Sequence, residues 1–397
     1  MSVTAAKGFR AAGVWAGVKG SGKPDLSLIV SDRPATAAGL FTTNAFCSPS
    51  VLLTVERLKA TGGRARAIVG VSGCSNAMTG AAGLADAGRI THATARLLSI
   101  PAREVLFGST GPIGPRFPVP RILRGLKAAT RALASTAAGS LAAARGIMTT
   151  DKRPKQATAT FVHGGVTHTV GGIAKGVGMV APKMATVLVF VTTDAAVSAA
   201  ALRKVLPGAA HDTLNAISVD GQMSTSDTLV VLANGAAGGP RLAGGAGLAA
   251  FARALHAVCA ALARELVADG EGATRLFRVT VRGGRTAAHA ERAARAVADS
   301  ALVKTMFYGR QANWGRIGQA LGACGVPFNP LRVTVDVGGL PAIRGGRVLP
   351  SGMAHAAAMA EPEVAVAVDL KAGRATATVL TCDLTEGYIR ENASYLS

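Results

Sequence analysis

Aromatic residues are scarce in this chain of 397 residues, making up 4% of the sequence, whereas hydrophobic residues of all kinds make up 49%. Small aliphatic side chains therefore have to form the core, and glycine occupies 49 positions. A chain of this length and apolar content can bury a large core, which is typical of a globular protein and excludes an intrinsically disordered one. The shortage of aromatic rings also argues against a surface on which nucleic-acid bases stack.

Cysteine is also scarce, with five scattered residues and no CxxC pair or zinc-type spacing. An odd number without a pattern predicts reduced thiols in a cytoplasmic protein. The seven histidines form no HExxH motif, so we expect no metal site. The first 23 residues lack the apolar core of a secretory signal, and no apolar run approaches the length of a membrane-spanning helix, which predicts no membrane partner.

Acidic residues are outnumbered by basic ones, 22 to 43, which gives a net charge of +21. The excess lies mainly in the first half: up to residue 185 there are 23 Lys and Arg against 6 Asp and Glu. These charges come singly rather than in basic blocks, so a solvated basic surface is favoured over a nucleic-acid-binding face. Such a surface would also attract an anionic substrate, such as a carboxylate or a coenzyme A thioester.

The apolar and small residues form a mixture of strand-like and helix-like segments. Strands are predicted at 26–30, 67–71, 157–162, 186–191, 228–232, 277–281, 333–337 and 375–380. Alanine-rich helices are predicted over 131–145, 248–269 and 286–299. Because the two types follow each other without a strict βαβ rhythm, the sequence favours a layered α+β fold over a doubly wound parallel sheet.

The stretch 172–191 is the most informative part of the chain. A glycine-rich approach leads to Ala185 and Thr186, and an apolar, β-branched run follows. This pattern suits a protein that cuts itself before the threonine, since an N-terminal threonine carries a nucleophilic hydroxyl and an α-amine that serves as its base. The alternative is that Thr186 only opens a buried strand, as β-branched residues often do.

Other segments carry polar groups suited to this chemistry. Thr110 and Gly111, in the small-residue run 108–114, could supply the donors of an oxyanion hole; the alternative is an ordinary strand-to-helix turn with a capping hydroxyl. The hydroxyl groups at 149–150 and the carboxylate of Glu271, which lies between two glycines, could bind a substrate, or could be loop residues. The polar C-terminus either frays or enters the active site.

Taken together, these segments resemble the ornithine acetyltransferase family, the glutamate/ornithine N-acetyltransferases of arginine biosynthesis. The resemblance covers essentially the whole chain and is carried by 17–26, 38–44, 109–111, 148–151, 175–195, 218–228, 269–273, 313–316 and 382–388. The most specific segment is Lys-Gly-x-Gly-Met followed by Pro-x-Met-Ala-Thr, at 175–186.

The resemblance implies a precursor that cleaves itself between Ala185 and Thr186. Residues 1–185 would form an α chain and residues 186–397 a β chain, and the two would assemble as an α2β2 heterotetramer. The implied fold is the layered αββα sandwich that the family shares with the self-processing β-aminopeptidases. No metal or organic cofactor is implied.

The resemblance also assigns site residues. Thr186 matches the family nucleophile, and Thr110 and Gly111 match its oxyanion-hole pair. The substrate-contact positions fall on Thr149, Lys175, Thr186, Glu271, Asn392 and Ser397. The implied reaction is ping-pong: Thr186 takes the acetyl group from N2-acetyl-L-ornithine and passes it to L-glutamate. Acetyl-CoA is a further donor that the resemblance allows.

Departures from the family pattern leave room for a different substrate. Ser397 replaces the usual terminal threonine, and Gln311-Ala312 replaces Asp-Pro. The segment 73–78 differs from the usual version, and Pro112 removes a backbone N–H just after the oxyanion pair. None of these changes removes a catalytic group. The alternatives are a paralogue or a self-processing amidohydrolase with another acyl substrate and, on charge alone, a basic nucleic-acid-binding protein.

Overall fold

Strands and helices follow each other along the whole chain in the computed structural model, which describes residues 1–180 and 187–394. The strands are β1 (Phe9–Val14), β2 (Leu26–Phe41), β3 (Arg64–Ser72), β4 (Val105–Thr110), β5 (Lys155–His163), β6 (Val166–Lys175), β7 (Leu188–Thr193), β8 (Thr228–Ala233), β9 (Leu276–Gly284), β10 (Thr334–Val337), β11 (Leu340–Arg344), β12 (Arg347–Val348), β13 (Glu363–Asp369) and β14 (Ala375–Cys382). The helices are α1 (Pro49–Ala60), α2 (Gly80–Leu98), α3 (Val119–Arg131), α4 (Ala137–Ile147), α5 (Ala199–His211), α6 (Gly245–Ala268), α7 (Ala287–Ala298), α8 (Ala301–Tyr308), α9 (Gly315–Ala323), α10 (Met353–Ala360) and α11 (Glu386–Ser394).

The long strand β2 belongs to two layers. Its first half pairs with β1 and β3, and its second half pairs with β8. Pairing with β3 resumes briefly at Ala35 and Thr36 after a break in register between Val30 and Ala35. Pro34 lies in that break, where a residue without a backbone N–H is tolerated. Within the described residues the strand order is β4-β3-β2-β8-β7-β6-β5, with β1 against β2. The bend in β2 therefore divides one continuous ladder into two layers.

The two layers face each other and enclose one apolar core. Ile29 and Leu106 on the first layer belong to it, and Phe190 and Val230 belong to it on the second. Gly70 permits the close approach of the layers, because a Cβ on this residue would lie 3.1 Å from the Phe190 ring. The absence of a side chain on β3 thus makes room for an aromatic ring from β7.

Helices cover the outer faces of both layers. Along β7, Leu188 and Phe190 point to the inner core, whereas Val189 and Val191 point outward to α5 and α6. Helices α2 and α3 cover β2, β3 and β4 in the same way. Because strand side chains alternate between faces, such strands need apolar residues at every position. The order helix, sheet, sheet, helix confirms the predicted α+β fold of the layered αββα type.

A separate six-stranded sheet, outside the two layers of the sandwich, is formed by strands from the last third of the described chain. Among the described residues its order is β12-β11-β10-β13-β9-β14. Helices α7, α8 and α9 pack on it, and Phe277 and Phe307 stack in its core with their ring centroids 4.2 Å apart. The sequence predicted several of these strands, but it did not predict that they form a sheet of their own.

The helix predicted over 131–145 is wrong as a single element. Helix α3 ends at Arg131, and α4 begins after Thr136, whose side chain accepts a hydrogen bond from the Gly139 N–H. Thr136 is thus an N-cap of the kind that Ser and Thr favour. The connection between the helices is fixed by a hydrogen bond from the Ala11 N–H of β1 to the Ala134 carbonyl at 2.9 Å. The strand predicted over 186–191 begins at Leu188 in the described part of the chain.

Helix α6 bears on the expectation that no apolar run is long enough to cross a membrane. By length and composition alone its 24 residues meet that requirement, so the expectation was wrong for this segment. Half of its most apolar stretch is buried inside the protein, where α6 packs on β5, β6 and α5. A core helix passes the same test of length and composition, and Phe251 and Leu262 of α6 belong to the apolar core.

Candidate active site

A cavity of about 120 Å³ lies where the ends of β4 and β6 meet the loop after α6 and helix α11. Six residues predicted from the sequence line it: Thr110, Gly111, Thr149, Lys175, Glu271 and Asn392. The fold therefore brings together residues that are far apart in the sequence. The other predicted site residues, Ala185, Thr186 and Ser397, lie outside the described residues.

The turn that ends β4 requires glycine. Gly111 has a φ of +133°, and a Cβ on it would lie 2.5 Å from the backbone nitrogen of Cys74. The alternative of a strand-to-helix turn with a capping hydroxyl is wrong, because α3 begins further along the chain and Ser109 instead donates to the Ser75 carbonyl at 2.8 Å. The turn thus presents Thr110 and Gly111 to the cavity.

Lys175 ends β6 beside Thr110. The lysine is 5% exposed, and its Nζ donates to Thr110 Oγ1 at 3.0 Å. Because this oxygen accepts the lysine's hydrogen bond, the hydroxyl proton can be donated into the cavity. Burial lowers the pKa of Lys175, while the carboxylates of Asp151 and Glu271 oppose that shift. The pair therefore offers a hydroxyl donor and the remaining N–H donors of the lysine ammonium to an anionic group.

Glu271 is held from two sides. Its Oε1 accepts a hydrogen bond from Thr150 Oγ1 at 2.7 Å, and its Oε2 accepts one from Asn392 Nδ2 at 2.8 Å. Gly178 packs directly against the carboxylate, since a Cβ on this glycine would overlap it. The remaining lone pairs of Glu271 can still accept hydrogen bonds from a cation. This end of the cavity is therefore suited to a substrate ammonium group.

Thr150 is a site residue that the family resemblance did not assign, although the sequence offered the hydroxyl groups of both Thr149 and Thr150. Thr149, the predicted substrate contact, lines the cavity, but the hydroxyl of Thr150 is the one that orients Glu271. Two neighbouring threonines carry the same chemistry, so local sequence gives no signal for which of them turns toward the glutamate. The direction of the backbone in the folded loop decides this.

The C-terminal helix α11 closes one side of the cavity. Its Tyr388 hydroxyl donates to Asp220 Oδ2 at 3.3 Å, and the backbone N–H groups of Met179 and Val180 donate to the same carboxylate at 2.6 and 2.9 Å. Burial, followed by the charge of Asp220, raises the pKa of Tyr388 well above its usual range, so the phenol stays a donor. The interpretation of the tail as frayed is wrong for this helix.

A buried ionic cluster lies next to the cavity. Lys155 Nζ is 2.6 Å from Asp151 Oδ1 and 2.5 Å from Asp269 Oδ2, and all three side chains are almost completely buried. Asp151 also accepts hydrogen bonds from the Thr149 and Gly176 N–H groups at 2.9 and 3.2 Å. Burial alone would raise the pKa of Asp151, but nearby lysine ammonium groups hold it below its usual value. The cluster thus fixes β5, the end of β6 and the loop after α6.

A larger groove of about 1010 Å³ runs along α2 and contains none of these residues. Arg89, His92 and Arg96 line it, and none of the described residues that line it carries a carboxylate. The groove therefore does not match the chemistry predicted from the sequence. Within residues 1–180 and 187–394, no three His, Cys, Asp or Glu side chains converge in a way that could hold a metal ion.

Comparison with known proteins assigns the family. A model of the ArgJ family matches residues 10–397. The chain belongs to the ArgJ family. The arginine biosynthesis bifunctional protein ArgJ of Symbiobacterium thermophilum is 47% identical to it over 397 residues, covering 99% of this chain and 98% of that protein. The protein of the same name from Geobacter sulfurreducens is 46% identical over 393 residues, covering 98% of this chain and 99% of that protein.

A solved structure of an ornithine acetyltransferase, from Mycobacterium tuberculosis in complex with ornithine, is also similar. It is 41% identical, covers 46% of this chain and 95% of its own chain, and has a TM-score of 0.41. With the ArgJ family model and the two relatives, the family predicted from the sequence is confirmed. The chain is an enzyme of arginine biosynthesis. The roles of the individual residues stay predictions.

Proposed function

We propose that this enzyme carries an acetyl group from N2-acetyl-L-ornithine to L-glutamate on the hydroxyl of Thr186. Before that, the chain cleaves itself between Ala185 and Thr186, which gives the hydroxyl an α-amine as its base. The proposal depends most on one observation, the convergence of the Thr110–Lys175 pair and the carboxylate of Glu271 on a single cavity. The relatives, named as bifunctional proteins of arginine biosynthesis, support the substrate class.

The cavity suits an amino acid that carries charges of both signs. A lysine ammonium at position 175 can pair with the α-carboxylate, and Glu271 can pair with the side-chain ammonium of ornithine. A volume of about 120 Å³ fits a small molecule rather than a polymer, which argues against the nucleic-acid alternative. The basic surface then serves to attract anionic substrates.

The proposed transfer has two steps. In the first, the α-amine takes the proton of the Thr186 hydroxyl, Oγ1 attacks the acetyl carbonyl, and Thr110 and Gly111 donate to the oxyanion. The C–N bond breaks, and the proton passes from the ammonium to the departing ornithine amine. In the second step the amine of glutamate attacks the acetyl ester and gives up a proton to the α-amine of Thr186. The ester C–Oγ1 bond then breaks, and the α-ammonium returns the proton to Oγ1, which re-forms the hydroxyl. Acetyl-CoA can load the same hydroxyl, because its thioester carbonyl is attacked in the same way.

The sheet order supports an enzyme whose two parts stay together after cleavage. Strands β7 and β8, which would belong to the β chain, lie between β2 and β6 of the α chain. β8 pairs with β2 along Thr36–Phe41, and β7 pairs with β6 along Val170–Lys175. Cutting one peptide bond leaves both ladders intact. We therefore propose that the α and β chains remain associated; their assembly as an α2β2 heterotetramer is what the family resemblance implies.

A gel and an acetyl-transfer assay test the proposed function together. Purified protein is expected to give two fragments of near-equal size under denaturing conditions, one of them with Thr186 at its N-terminus. Labelled acetyl should pass from N-acetylornithine to glutamate faster than to water. Active protein in one piece would contradict self-cleavage. Release of acetate without transfer would favour the amidohydrolase, and tight DNA binding with steep salt dependence would favour the nucleic-acid alternative.

Replacing Glu271 with glutamine tests its role toward the donor. We expect the KM for N-acetylornithine to rise about 10- to 100-fold, because a hydrogen bond to a charged partner contributes about 1.5–3 kcal/mol. The KM for glutamate should change little, because glutamate has no side-chain ammonium. Glu265→Gln is the matched control, since Glu265 pairs with Arg153 at the surface. An equal change in both KM values would contradict the assignment.

A further inference from the structure

Asp227 precedes β8, and its side chain is buried without an aligned hydrogen bond to any described residue. The residue is 1% exposed, and neither carboxyl oxygen is bonded to any group in the described chain. More than nine in ten buried polar groups in folded proteins have a partner, and an isolated buried carboxylate is costly. The buried carboxyl groups of Asp151 and Asp269 both follow this rule, since each accepts hydrogen bonds. Asp227 therefore requires an explanation of its own.

The position of Asp227 is fixed by the pairing of β7 with β8. The two strands are parallel, with Leu188 opposite Thr228, and the Thr228 N–H donates to the Val187 carbonyl at 2.9 Å. The backbone N–H of Val187 faces the carboxyl group but does not form a well-aligned hydrogen bond with it. Residues 224–226, just before Asp227, line the cavity. The carboxyl group thus lies behind the cavity wall, beside the residue that follows Thr186 in the sequence.

The charged neighbours of Asp227 do not supply the missing partner. In the described chain the titratable groups that interact with it are Lys175 on β6 and the thiol of Cys47 ahead of α1. Lys175 Nζ donates to Thr110 Oγ1 instead. Burial raises the pKa of Asp227 well above its usual value, although the Val187 N–H and Lys175 oppose the shift. Among the described residues, no cation therefore forms a hydrogen bond with this carboxyl group.

We propose that Asp227 is the positioning residue for the α-amine that cleavage exposes on Thr186. This inference rests on the proposed function. Before cleavage the nitrogen of residue 186 belongs to a neutral amide, and cleavage converts it into a basic amine. When the amine takes the hydroxyl proton, the carboxylate stabilises the ammonium and orients it through a charge-assisted hydrogen bond. The proton then leaves with the ornithine amine, so Asp227 ends the step unchanged.

The pH profile of kcat/KM distinguishes this role from a structural one. A carboxylate beside an amine favours its ammonium form and so raises its pKa, whereas the transfer needs the neutral amine. In Asp227→Asn we therefore expect the acidic limb of the profile to move down by about one pH unit. We also expect kcat to fall about 10- to 100-fold, because the amine is less well placed.

Asp194→Asn is the matched control. Asp194 is a buried carboxyl group just beyond the other end of β7, and it accepts hydrogen bonds from the Lys7 and Thr169 N–H groups. This variant is expected to lower the unfolding temperature without moving the acidic limb. Asp227→Glu keeps the acid on a longer side chain and should keep the limb near its original pH, with a lower kcat.

Several outcomes would overturn the inference. One is that the acidic limb of the kcat/KM profile does not move in Asp227→Asn. Another is that the limb moves as far in Asp227→Glu as it does in Asp227→Asn. A third is an Asp227→Asn chain that stays uncut while Asp194→Asn divides, since the carboxylate would then act before the amine exists. If Asp227→Asn does not fold, Asp227→Glu is the test: an acidic limb that stays near its original pH, with a lower kcat, supports the inference, and a limb that moves overturns it. Failure of the wild-type protein to divide would instead contradict the proposed function itself.

Discussion

A Thr186→Ala variant should remain a single chain of 397 residues and lose acetyl transfer from N-acetylornithine. Both effects follow from one oxygen atom, because the hydroxyl that attacks the peptide bond is also the one that carries the acetyl group. We expect kcat to fall by a factor of about 10⁴ or more, as when a nucleophile with its base is removed. The measurements are the intact mass of the purified protein and the rate of acetyl transfer.

Thr186→Ser is the matched control, since it keeps the hydroxyl and loses only a methyl group. This variant should still cleave itself before residue 186 and should keep part of the acetyl-transfer activity. Thermal unfolding of both variants separates a loss of chemistry from a loss of fold. If Thr186→Ala divided at the same bond, another group near the cavity would have to be the nucleophile, and the proposed mechanism would be wrong.

A Lys155→Met variant should be the most destabilised of the substitutions considered. Removing Nζ leaves the carboxylates of Asp151 and Asp269 buried without the cation that now lies within 2.6 Å of each. Breaking a buried ion pair in this way costs about 3–5 kcal/mol. We expect the unfolding temperature to fall by about 4–6 °C, because the entropy of unfolding is large for a chain of this length; circular dichroism or calorimetry measures the shift.

The pH dependence of this loss identifies its cause. The paired Asp151 has a lowered pKa, so it contributes stability that is present at neutral pH and lost only as the pH falls through that low value. In Lys155→Met the uncompensated carboxyl groups take up protons more readily. The difference in free energy of unfolding between Lys155→Met and the wild type should therefore become smaller as the pH is lowered from 7 to 4. Arg10→Met, which removes an exposed ion pair with Asp32, is the control and should change stability by less than about 1 kcal/mol at either pH. A difference in stability that does not depend on pH would indicate lost packing of the Lys155 side chain instead.

The α+β class and the elements with a regular pattern could be predicted from the sequence. The alternating segment 277–281 lies within β9, and the apolar helix predicted over 248–269 is α6 to within a few residues. The course of β2 could not be predicted, because the strand pattern stops at Val30. Pairing with β3 and β8 in the folded chain shows that the strand continues beyond Pro34, and the pairing with β8 takes it into the second layer.

The site residues differed in how much local sequence says about them. The small-residue run around Gly111 indicated a tight turn, and its positive φ confirms that. Glu271 and Asn392 are 121 positions apart, so no local pattern joins them, and only the family resemblance placed both in one site. Asp227 lies in a segment that carries the family resemblance, but no local pattern indicates its burial, which depends on the packing of β7 and β8 within the sheet.

The place of β7 and β8 in the middle of the sheet also bears on how a cleaved molecule would unfold and recover. An uncut precursor can refold alone, as one molecule. After the cut, each half supplies strands that the other needs as neighbours, so refolding becomes an encounter between two molecules and slows on dilution. If a dilute sample of the cleaved protein were heated, the α and β chains would dissociate, and their reassociation on cooling would be slow. The mature enzyme would persist because it opens slowly, which is a kinetic form of stability rather than an equilibrium one.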